Sequence, residues 1–168
     1  MAVTPTGMSG QQLAAIRNLI AASATFQAWV GAGSAADAAK AIYLDAFRCE
    51  GDDLSEYRPF ALIQDAGQSH EAIAGGTRNH FASAGTFVVV FEEDVPADYV
   101  GDEAEKIEDA GYWFRNKVDA VLAEMMEGTG TYASLRSIEE EYPMTRNHKA
   151  KGKRGDWFFW GFRVVMGD

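Results

Sequence analysis

The side chains able to do chemistry in this 168-residue chain are scattered, and their spacing argues against most reactions. His70, His80 and His148 include no pair four residues apart and have no cysteine partner at zinc spacing, so no metal site is implied. His70 and Glu71 adjoin on a strand-like segment, where neighbouring side chains point to opposite faces and cannot converge as an acid/base pair. The single cysteine, Cys49, has no partner for an intrachain disulfide. It stands next to Glu50, Asp52 and Asp53, whose charges disfavour a thiolate nucleophile. Glu139, Glu140 and Glu141, like Asp52 and Asp53, lack the spacing of a calcium loop and read as solvated charge.

Gly31-Ala32-Gly33-Ser34-Ala35-Ala36 imitates a dinucleotide fingerprint. It follows the helix-like stretch Phe26 to Val30 rather than a buried strand, and its third glycine is Ala36, so it reads as a loop between helices. No serine lies in a nucleophile elbow, and no glycine-rich lysine loop is present. These patterns predict no enzyme activity, no cofactor and no metal.

The strongest polar signal is instead a basic stretch. Arg146, Lys149, Lys151, Lys153 and Arg154 occur with no acid among positions 146–154, on a chain of net charge −10. It reads as a solvated hairpin tip, a phosphate-contacting finger or an electrostatic latch onto an acidic neighbour. The net charge opposes nucleic-acid binding by the surface as a whole.

The elements that position these groups follow from periodicity. Ser9 is the expected cap of a first helix through Leu13, Ile16, Leu19 and Ile20. Short helices are expected from Thr25 to Trp29, closed by Gly31, and from Ser34 to Ala41. Strands are predicted at Ile42 to Phe47, Tyr57 to Gln64, Ser69 to Ile73 and Thr86 to Glu93, with an acidic loop from Glu50 to Glu56. Asp102 to Glu127 is a long helix whose stripe of Ile107, Gly111, Phe114, Val118, Val121, Leu122 and Met125 faces the core. Gly111 there suggests close approach to the sheet. Leu135 to Tyr142 is a weakly apolar edge strand, joined through a basic hairpin loop at 143–156 to a C-terminal strand. The order predicts one α+β domain over residues 1–168. Its sheet is mainly antiparallel, crossed by one long helix, with short N-terminal helices and a flexible segment at 1–8.

The C-terminal strand is apolar on both faces: Phe158, Trp160, Phe162, Val164 and Met166 on one, and Trp157, Phe159 and Val165 on the other. Either it is a central strand sandwiched within the domain, or a second subunit covers Trp157 and Phe159. Tyr112 and Trp113, partly off the helix stripe, are further contact candidates. A domain of this length buries about 70% of its unfolded-chain surface. No apolar run approaches the roughly 18 residues of a membrane span and the N-terminus lacks a signal pattern, so a soluble, unexported chain is expected.

The succession of an N-terminal amphipathic helix, Ala22-Ser23-Ala24-Thr25-Phe26-Gln27-Ala28-Trp29, an alanine-rich helix, the Ile42 to Phe47 strand, Arg58-Pro59-Phe60-Ala61-Leu62-Ile63, the Gly85 to Glu93 strand, the long helix and a closing strand ending Arg163-Val164-Val165-Met166-Gly167-Asp168 resembles the tail terminator, or tail completion, proteins of long-tailed bacteriophages. The resemblance covers nearly the whole chain and rests on segment order and texture. It implies a structural virion protein, assembled in the host cytoplasm as a homo-oligomeric, hexameric ring. Such a ring caps the tail tube, stops its polymerisation and joins tail to head. The implied partners are the tail tube protein, head-completion or neck proteins and genomic DNA in the lumen, with no membrane. Other neck or minor tail proteins, including head-closure proteins, and a small cytosolic ligand-binding or enzymatic α+β domain are the alternatives.

Overall fold

The computed structural model describes residues 4–5, 7–48, 53–73, 80–101, 103–128, 135–149 and 155–167. Helices α1 (Met8–Ala22), α2 (Ala24–Trp29) and α3 (Ala35–Ala38) lead into strand β1 (Ile42–Leu44). Strands β2 (Phe60–Ile73) and β3 (His80–Asp94) follow, then the long helix α4 (Ala104–Glu127) and strands β4 (Leu135–His148) and β5 (Asp156–Gly167). One sheet of order β1-β2-β3-β5-β4 results, with β1 parallel to β2 and every other neighbour antiparallel. This is the expected α+β class.

Alternation along the two central strands sorts side chains between the faces of this sheet. Phe87, Val89 and Phe91 of β3 and Phe158, Trp160, Phe162, Val164 and Met166 of β5 meet the helices, all buried. Helix α4 answers with Ala110, Phe114, Val118, Val121 and Met125, spaced by three and four residues so that they share one side of the helix. Phe114 stacks on Phe158 with ring centres 5.1 Å apart, and Trp29 stacks on Phe91 at 5.9 Å while meeting Phe114 edge-on at 5.8 Å. The aromatic contact thus welds α2, α4 and the sheet at one point.

Ser23 ends one helix and starts the next. Its N–H donates to the Ile20 carbonyl at 3.1 Å, and its hydroxyl accepts from the Phe26 N–H at 2.9 Å. Glu124 of α4 then accepts from the Thr25 N–H at 3.2 Å and the Thr25 hydroxyl at 2.5 Å, so a distant carboxylate supplies α2 with a second cap. Partial burial pushes the Glu124 pKa up, but hydrogen bonds from Ser23, Thr25 and the α2 backbone outweigh that and hold it below the usual value.

Several elements differ from the sequence expectation. Helix α1 begins at Met8 with Gly7 as its side-chain-free cap, not at Ser9. Ser34 does cap α3, but the last turn of the expected helix tightens into a 3₁₀ segment, Ala39–Ala41. A second 3₁₀ turn, Asp45–Phe47, truncates β1 to three residues. Tyr57 belongs to another such turn, Ser55–Tyr57, and the two strands expected between Tyr57 and Ile73 are one strand carrying a bulge between Asp65 and Gly67. Ile107 is 47% exposed and not part of the core, because the buried stripe starts only at Ala110 as α4 comes onto the sheet. Gly111 makes no close approach: a Cβ there would lie 3.8 Å from Met144 Cε, an ordinary contact.

The expected flexible segment at 1–8 and the expected acidic loop from Glu50 to Glu56 both fall partly outside the described residues, which take up the loop again at Asp53, ahead of the Ser55–Tyr57 turn. Strand β4 runs six residues beyond Tyr142, to His148, which places Arg146 on a strand and not in a loop.

Candidate interaction site

Strand β5 lies between β3 and β4, and its outward residues are only partly covered. Trp157, Phe159 and Val165 are half-buried, whereas Arg163 is exposed and pairs with Glu141 at 2.6 Å. Phe159 packs between Tyr142 at 5.8 Å and Trp157 at 6.5 Å. Gly161 is what lets the Tyr142 ring descend onto β5, since a Cβ there would stand 2.6 Å from Tyr142 Cδ2. Farther along the same face, Tyr43 meets Phe60 edge-on at 5.7 Å and Tyr57 at 6.1 Å. The outer face is therefore an aromatic sheet surface, in which side chains of the chain itself shield part of each ring.

The end of β3 carries the ions. Alternation sends Glu92 and Asp94 outward and Glu93 inward, toward the helices. Outside, Arg58 donates from Nε to Glu92 at 2.9 Å, approaches Asp94 at 3.6 Å and lies 4.0 Å above the Trp157 ring. Inside, Lys117 of α4 pairs with Glu93 at 3.1 Å and sits 3.9 Å from the Trp113 ring and 5.4 Å from that of Trp29. Each carboxylate thus meets a cation that a tryptophan covers, once on either side of the sheet. Burial pushes both glutamate pKa values up, more than Arg58 and Lys117 respectively pull them down.

Asp94 also accepts from Lys149 at 2.6 Å, while Asp156 accepts from Arg146 at 2.7 Å and lies 2.7 Å from His148 Nδ1. Burial pushes the Asp156 pKa up, but the His148 and Arg146 hydrogen bonds outweigh it and lower the net value. A cleft of about 530 Å³ opens among these groups, lined by Asp53, Glu56, Arg58, Asp94, Lys149 and Trp157. Within it Asp94 takes both Arg58 and Lys149, which makes a charged seam joining the segment before β2 to the β4–β5 hairpin, while Asp53 accepts from the Ser55 N–H and hydroxyl. Among the described residues no group of three His, Cys, Asp or Glu side chains could hold a metal ion, and no helix is long and apolar enough to cross a membrane.

The residues singled out from sequence separate into distinct places. Tyr112 is 56% exposed on α4, its hydroxyl 3.3 Å from Glu108, and Trp113 next to it is half-buried against Tyr99 at 5.9 Å. Trp157 and Phe159 stand on the opposite side of the sheet. The basic stretch divides as well: Arg146, expected in the loop, lies on β4 and pairs with Asp156, and Lys149, just past the strand, pairs with Asp94. Lys151, Lys153 and Arg154 lie outside the described residues. Arg58, Glu92, Glu93 and Lys117 were not expected as a site. The sequence signal for them was the Glu92-Glu93-Asp94 run closing an otherwise apolar strand, which requires nearby cations once that strand end is buried.

No protein-family model matches the chain, and no curated protein matches it by sequence. Among solved structures, a chain of the "Virion of native gene transfer agent (GTA) particle" aligns over 98% of this chain and 100% of that one, at 12% identity and a TM-score of 0.38. A superposition at that level does not establish a common fold.

Proposed function

We propose that the protein is a structural subunit of a phage-type virion, a tail terminator whose copies form a ring, of six by the resemblance noted above, on the end of the tail tube. The observation that carries this reading is the placement of the partly covered aromatics. Trp157 and Phe159 occupy one side of the sheet, and Tyr112 and Trp113 the other. A ring subunit needs two different surfaces, since head-to-tail contacts join one patch of each copy to another patch of the next. Half-exposed aromatics supply large contact area at low ordering cost.

In this reading the tube and the neck proteins take the two axial faces of the ring. Lys151, Lys153 and Arg154 face an acidic partner subunit or the phosphates of passing DNA, without reading sequence. Electron micrographs of particles produced without the chain test the reading, with overlong or unjoined tails as the expected outcome. Normal, filled particles of regular tail length would sink it. Neutralising Lys151, Lys153 and Arg154 together is expected to impair neck assembly or DNA passage while leaving the fold intact, and unchanged phage yield overturns their assignment.

A further inference from the structure

The first 36 residues hold no aspartate or glutamate, although the chain has 25 acids, and Arg17 is their only charged side chain. They build one wall of an apolar groove of about 550 Å³ between α1 and strand β1. Gly10, Leu13, Ala14 and Arg17 line it from the helix, and Leu44 and Phe47 from β1 and the 3₁₀ turn that ends it. Gly10 and Ala14, one turn apart, bring almost no side-chain bulk, so the helix wall is open there. Phe47 is 76% exposed, the highest value among the exposed large apolar side chains of the described residues.

Two needs of this groove are unmet within the chain. The first is electrostatic. Arg17 donates from Nη2 to the Ala39 carbonyl at 2.8 Å, which fixes the guanidinium at the wall, yet its buried Nε has no hydrogen-bond partner and no carboxylate pairs with it among the described residues. The nearby Asp45 lies instead 3.9 Å from Arg48. A fixed guanidinium is best met by a carboxylate, whose two oxygens match its fork of N–H groups. The second need is a backbone partner: β1 is an outer strand that pairs only with β2, so its other edge offers about 10 Å of open backbone groups.

We propose that the groove binds an extended segment of a partner protein, which adds to the β1 edge and turns one carboxylate side chain, flanked two residues away on either side by apolar ones, toward α1. Edge hydrogen bonds align such a segment, and alternation puts every second side chain into the groove. The carboxylate meets Arg17, and the apolar side chains cover Leu13 and Phe47. A basic segment would instead set like charges together in an apolar trough. The inference goes beyond the ring reading and does not depend on it.

The probe is an end-blocked peptide, Val-Thr-Glu-Thr-Val-Thr-Leu, compared with the same peptide carrying Gln in place of Glu. Amide chemical shifts of labelled protein are expected to move at β1 and α1 on titration, with the glutamine peptide binding about tenfold more weakly, since a charge-assisted pair is lost. Phe47→Asp, at an exposed position, should keep the wild-type melting midpoint and weaken both peptides at least tenfold. Arg17→Gln should bind the glutamine peptide as the wild type does and lose the preference for glutamate. Should that variant not fold, the two peptides on the wild type and Phe47→Asp still decide. Equal affinity for the two peptides, shifts centred away from β1 and α1, undiminished binding by Phe47→Asp, or no shifts at about 5 mM peptide overturns the site. A wild-type assembly that Phe47→Asp dissociates in light scattering makes a second copy the occupant and overturns it as well. Tail length in the micrographs judges the ring reading separately.

Discussion

The two faces of the sheet are built from the same strands, yet they are closed in different ways. On the helix side, aromatic and branched residues of β3 and β5 are sealed by α1, α2 and α4, and the Glu93–Lys117 pair at the end of β3 is the ionic exception. On the other side Trp157, Phe159 and Tyr142 lie against one another and beneath a guanidinium, with part of each ring left to solvent. The difference is one of closure: the helix side is shut almost wholly by apolar volume, with one ion pair at the end of β3, whereas the outer side is shut by rings, ions and neighbouring side chains that leave part of each ring open.

The sharpest way to break the comparison is on the helix side. Phe114 is fully buried among Phe158, Trp29 and the α4 stripe, so Phe114→Ala is expected to destabilise by about 3–5 kcal/mol in denaturant unfolding. A loss under about 1 kcal/mol would remove α4 from the core. The closest equivalent on the outer side is Arg58, whose side chain is only 7% exposed. Arg58→Met strands Glu92 without its cation and uncovers Trp157, a change of about 2–4 kcal/mol at neutral pH.

The sign of its pH dependence follows from Glu92. A carboxyl whose folded-state pKa is raised above its ordinary 4.5 binds its proton more tightly folded than unfolded, so its contribution to stability falls as pH rises through that raised value. Without Arg58 the value rises further. The penalty of Arg58→Met should therefore shrink as the pH is lowered from 8 to 5, and a penalty that grows on acidification contradicts the Arg58–Glu92 assignment. Asp156 and Glu124 act oppositely. Their lowered values contribute stability that is present above 3.8 and 4.5 and lost as pH falls through the folded-state values.

How much of this was legible in the sequence depends on whether local spacing or distant pairing decides a feature. The β3 and β5 strands, the α4 stripe from Phe114 to Met125 and the cap at Ser34 follow from local spacing, and the alternation of β5 separated its two faces correctly, whereas the cap at Ser23 was not read and the one expected at Ser9 is absent. Ile107 was misread because periodicity continues past the point where α4 meets the sheet. The bulge that lets β2 run on to Ile73 leaves no mark in composition, nor does the pairing that carries β4 to His148. The ion seam was missed for a related reason: Arg58, Asp94, Lys149 and Asp156 are far apart in sequence, and only strand register brings them together. The same register puts Arg146 on β4 beside Asp156 and brings Lys149, just past the strand, to Asp94.

A smaller effect is expected where the outer face relies on close approach. Gly161→Ala places a Cβ 2.6 Å from the Tyr142 ring, which must lift, but Tyr142 is 41% exposed and has room to move. The expected cost is about 1–2 kcal/mol, with reduced packing of Phe159 visible in its ring resonances. An unchanged midpoint with unchanged ring signals would show that Tyr142 does not rest on β5.

The smallest effect on folding is expected at Tyr112, and there the comparison is most specific. Its ring stands on the solvent side of α4, and its hydroxyl reaches only Glu108, one turn earlier on the same exposed helix surface. Removing such a ring alters stability by no more than about 0.5 kcal/mol. Trp113, one residue on, instead lies under Lys117 and against Tyr99, so its loss disturbs the Glu93 pair and the helix seat together. Tyr112→Ser should therefore keep the wild-type melting midpoint and still lower the yield of joined particles, whereas Trp113→Ser should lower both. If Tyr112→Ser leaves particle yield untouched, the α4 side loses its claim as a contact surface and the partner-facing role contracts to the outer sheet face. If instead it lowers the midpoint as much as Trp113→Ser does, Tyr112 belongs to the folded core of the subunit, and its exposure says nothing about partners.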